Sequence, residues 1–134
     1  MEQTDIEEAI QIIRLFFPAV QGVYVFGSEV SGDVHAESDL DLAILMEKSL
    51  EPEKLWDIAQ EIAIHIGRDV DLLDLRAAST VMRMQVVGKG TKIACFDEPA
   101  CEIFEDFVFS DYARLNEERA EILKDIGRQG VIYG

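Results

Sequence analysis

Hydrophobic positions along the chain change period several times, and each change marks a new element. Ile6, Ile10, Ile13 and Phe17 recur at helical spacing, Thr4 followed by Glu7 reads as a capping box, and Pro18 ends the pattern. Val23 to Phe26 is a short β-branched and aromatic run closed by Gly27, and Leu40 to Met46 is a second apolar run entered through Asp39 and Asp41; both predict buried strands. Between Ser49 and Gly67, residues Leu55, Ile58, Ala59, Ile62, Ala63 and Ile66 fall on one stripe, with Pro52 in a first turn and Gly67 placed to close a helix.

The segment Asp69 to Leu75, DVDLLDL, alternates at its start as a strand does. A shorter helix is expected from about Ser79 to Val87, ending before Gly88, and an edge strand from Thr91 to Phe96. Pro99 then opens a long helix over 99–126, with Ile103, Phe104, Phe107, Leu115, Ile122 and Ile126 as candidate core positions and 127–134 as a flexible tail. No repeat, low-complexity tract or linker divides the chain, so residues 1–134 are read as one α/β (α+β) domain.

Composition narrows the function. The chain has 134 residues, and with 27 acidic against 12 basic side chains its net charge is −15. Such a field repels a phosphate backbone, which argues against direct nucleic-acid binding, and attracts a basic protein partner. Cys95 and Cys101 match neither a metal-site spacing nor a disulfide framework. The acidic N-terminus MEQTDIEEAI is no signal peptide, and no apolar run approaches the roughly 20 residues of a membrane span. A cytoplasmic protein away from membranes is expected.

The chemistry is concentrated in VYVFGSEVSGDVHAESDLDLAIL, residues 23–45. Side chains two apart on a strand share a face and lie ~7 Å apart along the backbone. Asp39 and Asp41 therefore reach one small volume while Leu40 and Leu42 turn the other way. Paired carboxylates repel unless a cation sits between them, and Mg2+ suits hard oxygens that a triphosphate would complete. Gly27 lets backbone approach a phosphate, Ser28 adds a hydroxyl and an amide, and Gly32 is placed to turn the chain back toward Asp39. His35 lies in the connecting loop and reads as exposed; His65 reads as a cation at a helix C-terminus, and Trp56 as a core or interface residue.

Gly27-Ser28, ten intervening residues, then Asp39-Leu40-Asp41 resembles the signature of the minimal nucleotidyltransferase domains of the DNA polymerase beta-like superfamily. With DVDLLDL and the following LRAAST, the chain looks most similar to the MntA-type antitoxins encoded beside HEPN-domain ribonuclease toxins. The resemblance implies a polymerase beta-like fold with a small mixed sheet and a long C-terminal helix. It implies a third metal-site carboxylate on a later strand, assigned to Asp71 with Asp69 and Asp74 as competitors, which would also serve as general base. ATP as co-substrate, Mg2+ as cofactor and a tyrosine of a cognate HEPN toxin as acceptor follow from the same resemblance, the modification disabling the toxin. Two other functions fit the motif: an antitoxin that neutralises by binding alone, and a nucleotidyltransferase acting on a small molecule.

One departure stands out. Many members of the wider superfamily carry an arginine immediately before the glycine corresponding to Gly32, where this chain has Ser31. Arg68, Arg76, Lys48 and Arg83 are candidates to contact the triphosphate in its place, with solvated surface as the ordinary role of each.

Overall fold

The computed structural model describes residues 3–27 and 39–129. Four strands form one mixed sheet: β1 (Gly22–Phe26), β2 (Leu40–Leu45), β3 (Val70–Asp74) and β4 (Thr91–Cys95), in the order β3-β2-β1-β4. β1 and β2 are antiparallel, with Gly22 opposite Leu45 and Phe26 opposite Asp41. β4 is antiparallel to β1 on one edge, whereas β3 is parallel to β2 on the other. A parallel pair needs a crossover, and the helix α2 (Pro52–Ile66) supplies it.

Strand alternation feeds two separate cores. Val23, Val25, Leu40, Leu42, Ile44 and Leu72 meet α1 (Gln3–Phe16) and α2 on one face of the sheet. Tyr24, Ala43 and Leu45 meet α3 (Thr80–Lys89) and α4 (Glu98–Gln129) on the other. Both faces are covered, which is why β1 and β2 read as continuous apolar runs.

Helix ends follow local chemistry. Thr4, expected to cap α1, lies inside a helix that begins at Gln3. α2 has Pro52 in its first turn and stops at Gly67, whose φ of 72° places it in the left-handed region and whose N–H donates to the Ala63 carbonyl at 2.9 Å. Ser79 caps α3 by accepting from the Met82 N–H at 3.1 Å. That helix, expected to end before Gly88, passes through that glycine and stops at Gly90. A Cβ on Gly90 would come within 2.6 Å of the Val25 carbonyl oxygen, so glycine is what allows α3 to end against β1. Asp97 caps α4 by accepting from the Ala100 N–H at 3.1 Å.

The 32-residue α4 corrects the expected core stripe. Its buried positions are Cys101, Phe104 and Val108. Ile103 (71% exposed), Phe107 (52%), Ile122 and Ile126 face outward, and Leu115 is half-buried. The helix continues through Gly127 to Gln129, and residues 116–127 are exposed throughout. Helix α4 lies so close to β1 that a Cβ on Gly22 would sit 2.8 Å from Cys101 Sγ. A polar bridge pins the same contact: Tyr24 donates to Glu105 Oε2 at 2.7 Å, and Lys92 pairs with that oxygen at 3.0 Å. Both cysteines are free thiols, with their sulfurs 3.3 Å apart, and burial pushes the Cys95 thiol up to about 12.

Candidate active site

The C-terminal end of β1 and the N-terminal ends of β2 and β3 converge at one end of the sheet. Leu40 and Leu42 are fully buried toward α1 and α2, so the pleat turns Asp41 to the opposite face. Asp39 precedes the strand by one residue, two from Asp41, and is exposed. Asp71 is the register partner of Asp41. Partners in a ladder share a face and stand on strands ~4.8 Å apart. The two carboxylates therefore rise side by side, Asp71 exposed and Asp41 half-buried.

Gly27 closes this corner. Its φ is 75°, a conformation that only glycine adopts without penalty. An added Cβ would collide with the Asp41 carboxylate, lying 3.0 Å even from Cγ. The turn leaving β1 thus passes directly against the Asp41 carboxylate. Ser28, Ser31, Gly32 and His35 lie outside the described residues.

The competitors of Asp71 separate by position. Asp74 is 4% exposed at the far end of β3, where it accepts from the Leu50 N–H at 2.7 Å and the Arg76 N–H at 3.0 Å. It is a buried structural acceptor. Asp69 is exposed at the site end, and its carbonyl accepts from the Leu40 N–H at 2.9 Å. Among the described residues no cluster of three or more His, Cys, Asp or Glu side chains could hold a metal ion unaided. Mg2+ does not need one, since it is commonly held by one or two carboxylates together with substrate phosphates, and Asp41, Asp71 and Asp39 offer hard oxygens of the right kind.

Of the candidate phosphate contacts, Arg76 and Arg83 are excluded, and neither is solvated surface. Arg76 donates from Nε to the Met46 carbonyl at 2.6 Å. Arg83 donates from Nε to the Leu75 carbonyl at 2.8 Å and from a terminal nitrogen to the Arg76 carbonyl at 2.8 Å, and both guanidinium groups lie over Phe104. Lys48 is exposed beyond the far end of β2. Arg68, half-buried just before β3, is at the site end. Lys89 joins it there, because it precedes Gly90, which abuts Val25 and Phe26. Sequence reasoning passed over Lys89; its only signal was a cation at the end of a helix that returns to the sheet. His65 is exposed in the last turn of α2, with Nδ1 2.9 Å from the Glu61 carbonyl oxygen. No helix of the described residues is long and apolar enough to cross a membrane.

The chain is similar to known proteins over most of its length. Residues 7–99 match the polymerase beta nucleotidyltransferase family. The protein adenylyltransferase MntA of Shewanella oneidensis is 36% identical over 126 residues, spanning 94% of this chain and 90% of that protein. A crystal structure of a toxin–antitoxin pair with AMP-PNP contains a chain 37% identical, with a TM-score of 0.79 over 90% of this chain and 96% of that one. A second structure, of a tri-AMPylated Shewanella oneidensis HEPN toxin in complex with an MNT antitoxin, matches at 34% identity and a TM-score of 0.78, covering 94% of this chain and 98% of that one. The mixed sheet, its flanking helices and the long C-terminal helix are those of the polymerase beta-like fold, and the chain belongs to the polymerase beta nucleotidyltransferase family, as a homologue of the MntA antitoxins that pair with HEPN toxins.

Proposed function

We propose that this chain is an antitoxin that transfers AMP from ATP to a tyrosine hydroxyl of its cognate HEPN toxin, with Mg2+ as cofactor and Asp39, Asp41 and Asp71 as the acidic triad. The observation that carries this reading is the register of Asp41 with Asp71 beside the Gly27 corner, in a chain collinear with a protein adenylyltransferase. Asp39 and Asp41 would hold the ion, which supplies positive charge to the phosphate oxygens. Gly27 gives the triphosphate a close backbone approach, Ser28 would add the hydroxyl that the motif supplies, and Arg68 and Lys89 are cations at that end of the sheet. The tyrosine oxygen bonds to the α-phosphorus, the bond from that phosphorus to the bridging oxygen breaks, and pyrophosphate leaves. Asp71 accepts the hydroxyl proton. The free thiols fit a reducing cytoplasm.

The test is incubation of the purified chain with labelled ATP, Mg2+ and the toxin. Label appears on the toxin, needs the divalent ion, and falls at least a hundredfold in the Asp39→Ala, Asp41→Ala double variant. Unlabelled toxin, or equal labelling by the double variant, overturns the reading. A second reading, neutralisation by binding alone, is favoured by the exposed apolar residues of α4, Ile103 and Phe107 among them. It requires the double variant to protect cells as well as the parent does at equal protein level.

A further inference from the structure

Beside Asp71, on the outer edge of the sheet, lies a cavity of about 320 Å³ between α2 and β3. Leu55, Trp56, Ala59, Val70, Asp71 and Leu72 are among its walls. Trp56 is 64% exposed there, and it is the chain's single tryptophan. A large amphipathic ring that lines a cavity and is still open to solvent offers a flat apolar face and a polar N–H to another molecule.

The backbone of β3 points the same way. The Asp69 carbonyl and the Leu75 N–H both bond β2, at 2.9 Å to Leu40 and 3.1 Å to Ile44. Alternate residues of a strand direct their backbone groups to opposite sides. Asp69, Asp71, Leu73 and Leu75 therefore face β2, while Val70 and Leu72 turn N–H and C=O outward. β3 is the edge of the sheet, and among the described residues no strand lies beyond it. A strand edge beside a groove of mixed lining, with Leu55, Trp56 and Val70 as its apolar part and Gln60 and Asp71 as its polar part, is suited to an added extended peptide: backbone bonds supply affinity, and a pocket reads alternate side chains.

Resting on the proposed adenylyl transfer, we propose that this groove seats the extended segment of the toxin that carries the acceptor tyrosine, its backbone joining Val70 and Leu72 and its side chains packing on Trp56. The occupant follows from continuity with the candidate site: a chain laid along β3 passes Asp71, the group that takes the hydroxyl proton. Trp56 is a positioning residue for the acceptor and has no part in holding ATP.

The experiment compares the parent with Trp56→Ala and Trp56→Phe in AMP transfer to the toxin, with complex formation measured by co-purification. Trp56→Ala raises the KM for toxin on the order of tenfold, leaves the KM for ATP and recovery of the complex unchanged, and Trp56→Phe restores most of the loss. The tryptophan emission of the parent also shifts to shorter wavelength when a tryptophan-free peptide spanning the acceptor tyrosine is titrated in. Equal KM for toxin in parent and Trp56→Ala overturns the groove assignment, as do loss of the complex in that variant and unchanged emission at peptide concentrations that become labelled. Absence of label with the parent chain instead sinks the adenylyl-transfer reading on which the groove rests.

Discussion

At the scale of single residues, two glycines in the same backbone conformation have opposite surroundings. Gly27 and Gly67 both have φ above 70°, yet a Cβ on Gly67 meets nothing within 4 Å, whereas one on Gly27 meets Asp41. Gly67→Ala and Gly27→Ala should each cost about 1–2 kcal/mol of stability in urea unfolding through backbone strain, with Gly27→Ala the larger. Only Gly27→Ala should lower the AMP-transfer rate, by more than tenfold; equal rates in the two variants would separate the corner from the chemistry. The placing of Asp41 beside the Gly27 corner was legible in sequence because alternation around Leu40 and Leu42 fixes the face from which Asp41 rises. Arg76 and Arg83 were not, because their acceptors are backbone carbonyls of Met46, Leu75 and Arg76, which no residue type advertises.

At the scale of elements, α4 is two helices in function. Its first half is held by Cys101, Phe104 and Val108 against the sheet, and from residue 116 to 127 every position is exposed. Over 32 residues at 1.5 Å each, a helix runs ~48 Å, longer than the strands it covers, so its second half has no sheet beneath it. A chain stopped after Leu115 should therefore melt within about 2 °C of the parent, since among the described residues beyond that point it loses exposed contacts such as the Arg114–Glu118 pair. A large fall in Tm would mean that the far half supports the core. The sequence led to the wrong stripe here for a physical reason. Ile103, Phe107, Ile122 and Ile126 are as apolar as Phe104, and periodicity reports a face without reporting what covers it. α2 was read correctly because its stripe packs against α1 and β3, with Ile58, Ala59 and Ile62 buried and Leu55 and Ile66 partly so.

At the scale of the molecule, the net charge of −15 bears on encounter with the toxin. Opposite charge on a partner accelerates association through long-range attraction that salt screens. The association rate, followed by stopped flow, should drop roughly tenfold or more between about 0.05 and 0.5 M salt, while dissociation changes little; an on-rate indifferent to salt would remove charge from the account. The class of fold and the edge position of β4 could be read from the chain, since strands and helices alternate with short connections. The place of β3 on the opposite edge could not, because strand order is set by how α2 crosses the sheet. Finally, the near contact of Gly22 with Cys101 ties two positions remote in sequence into one unit of variation. Gly22→Ala alone should loosen the helix from the strand, yet in a Cys101→Ala background the space vacated by sulfur should accept the new methyl. A double-mutant cycle would then show a stabilising coupling above about 0.5 kcal/mol, and relatives that depart from glycine at the first position should carry a smaller side chain at the second.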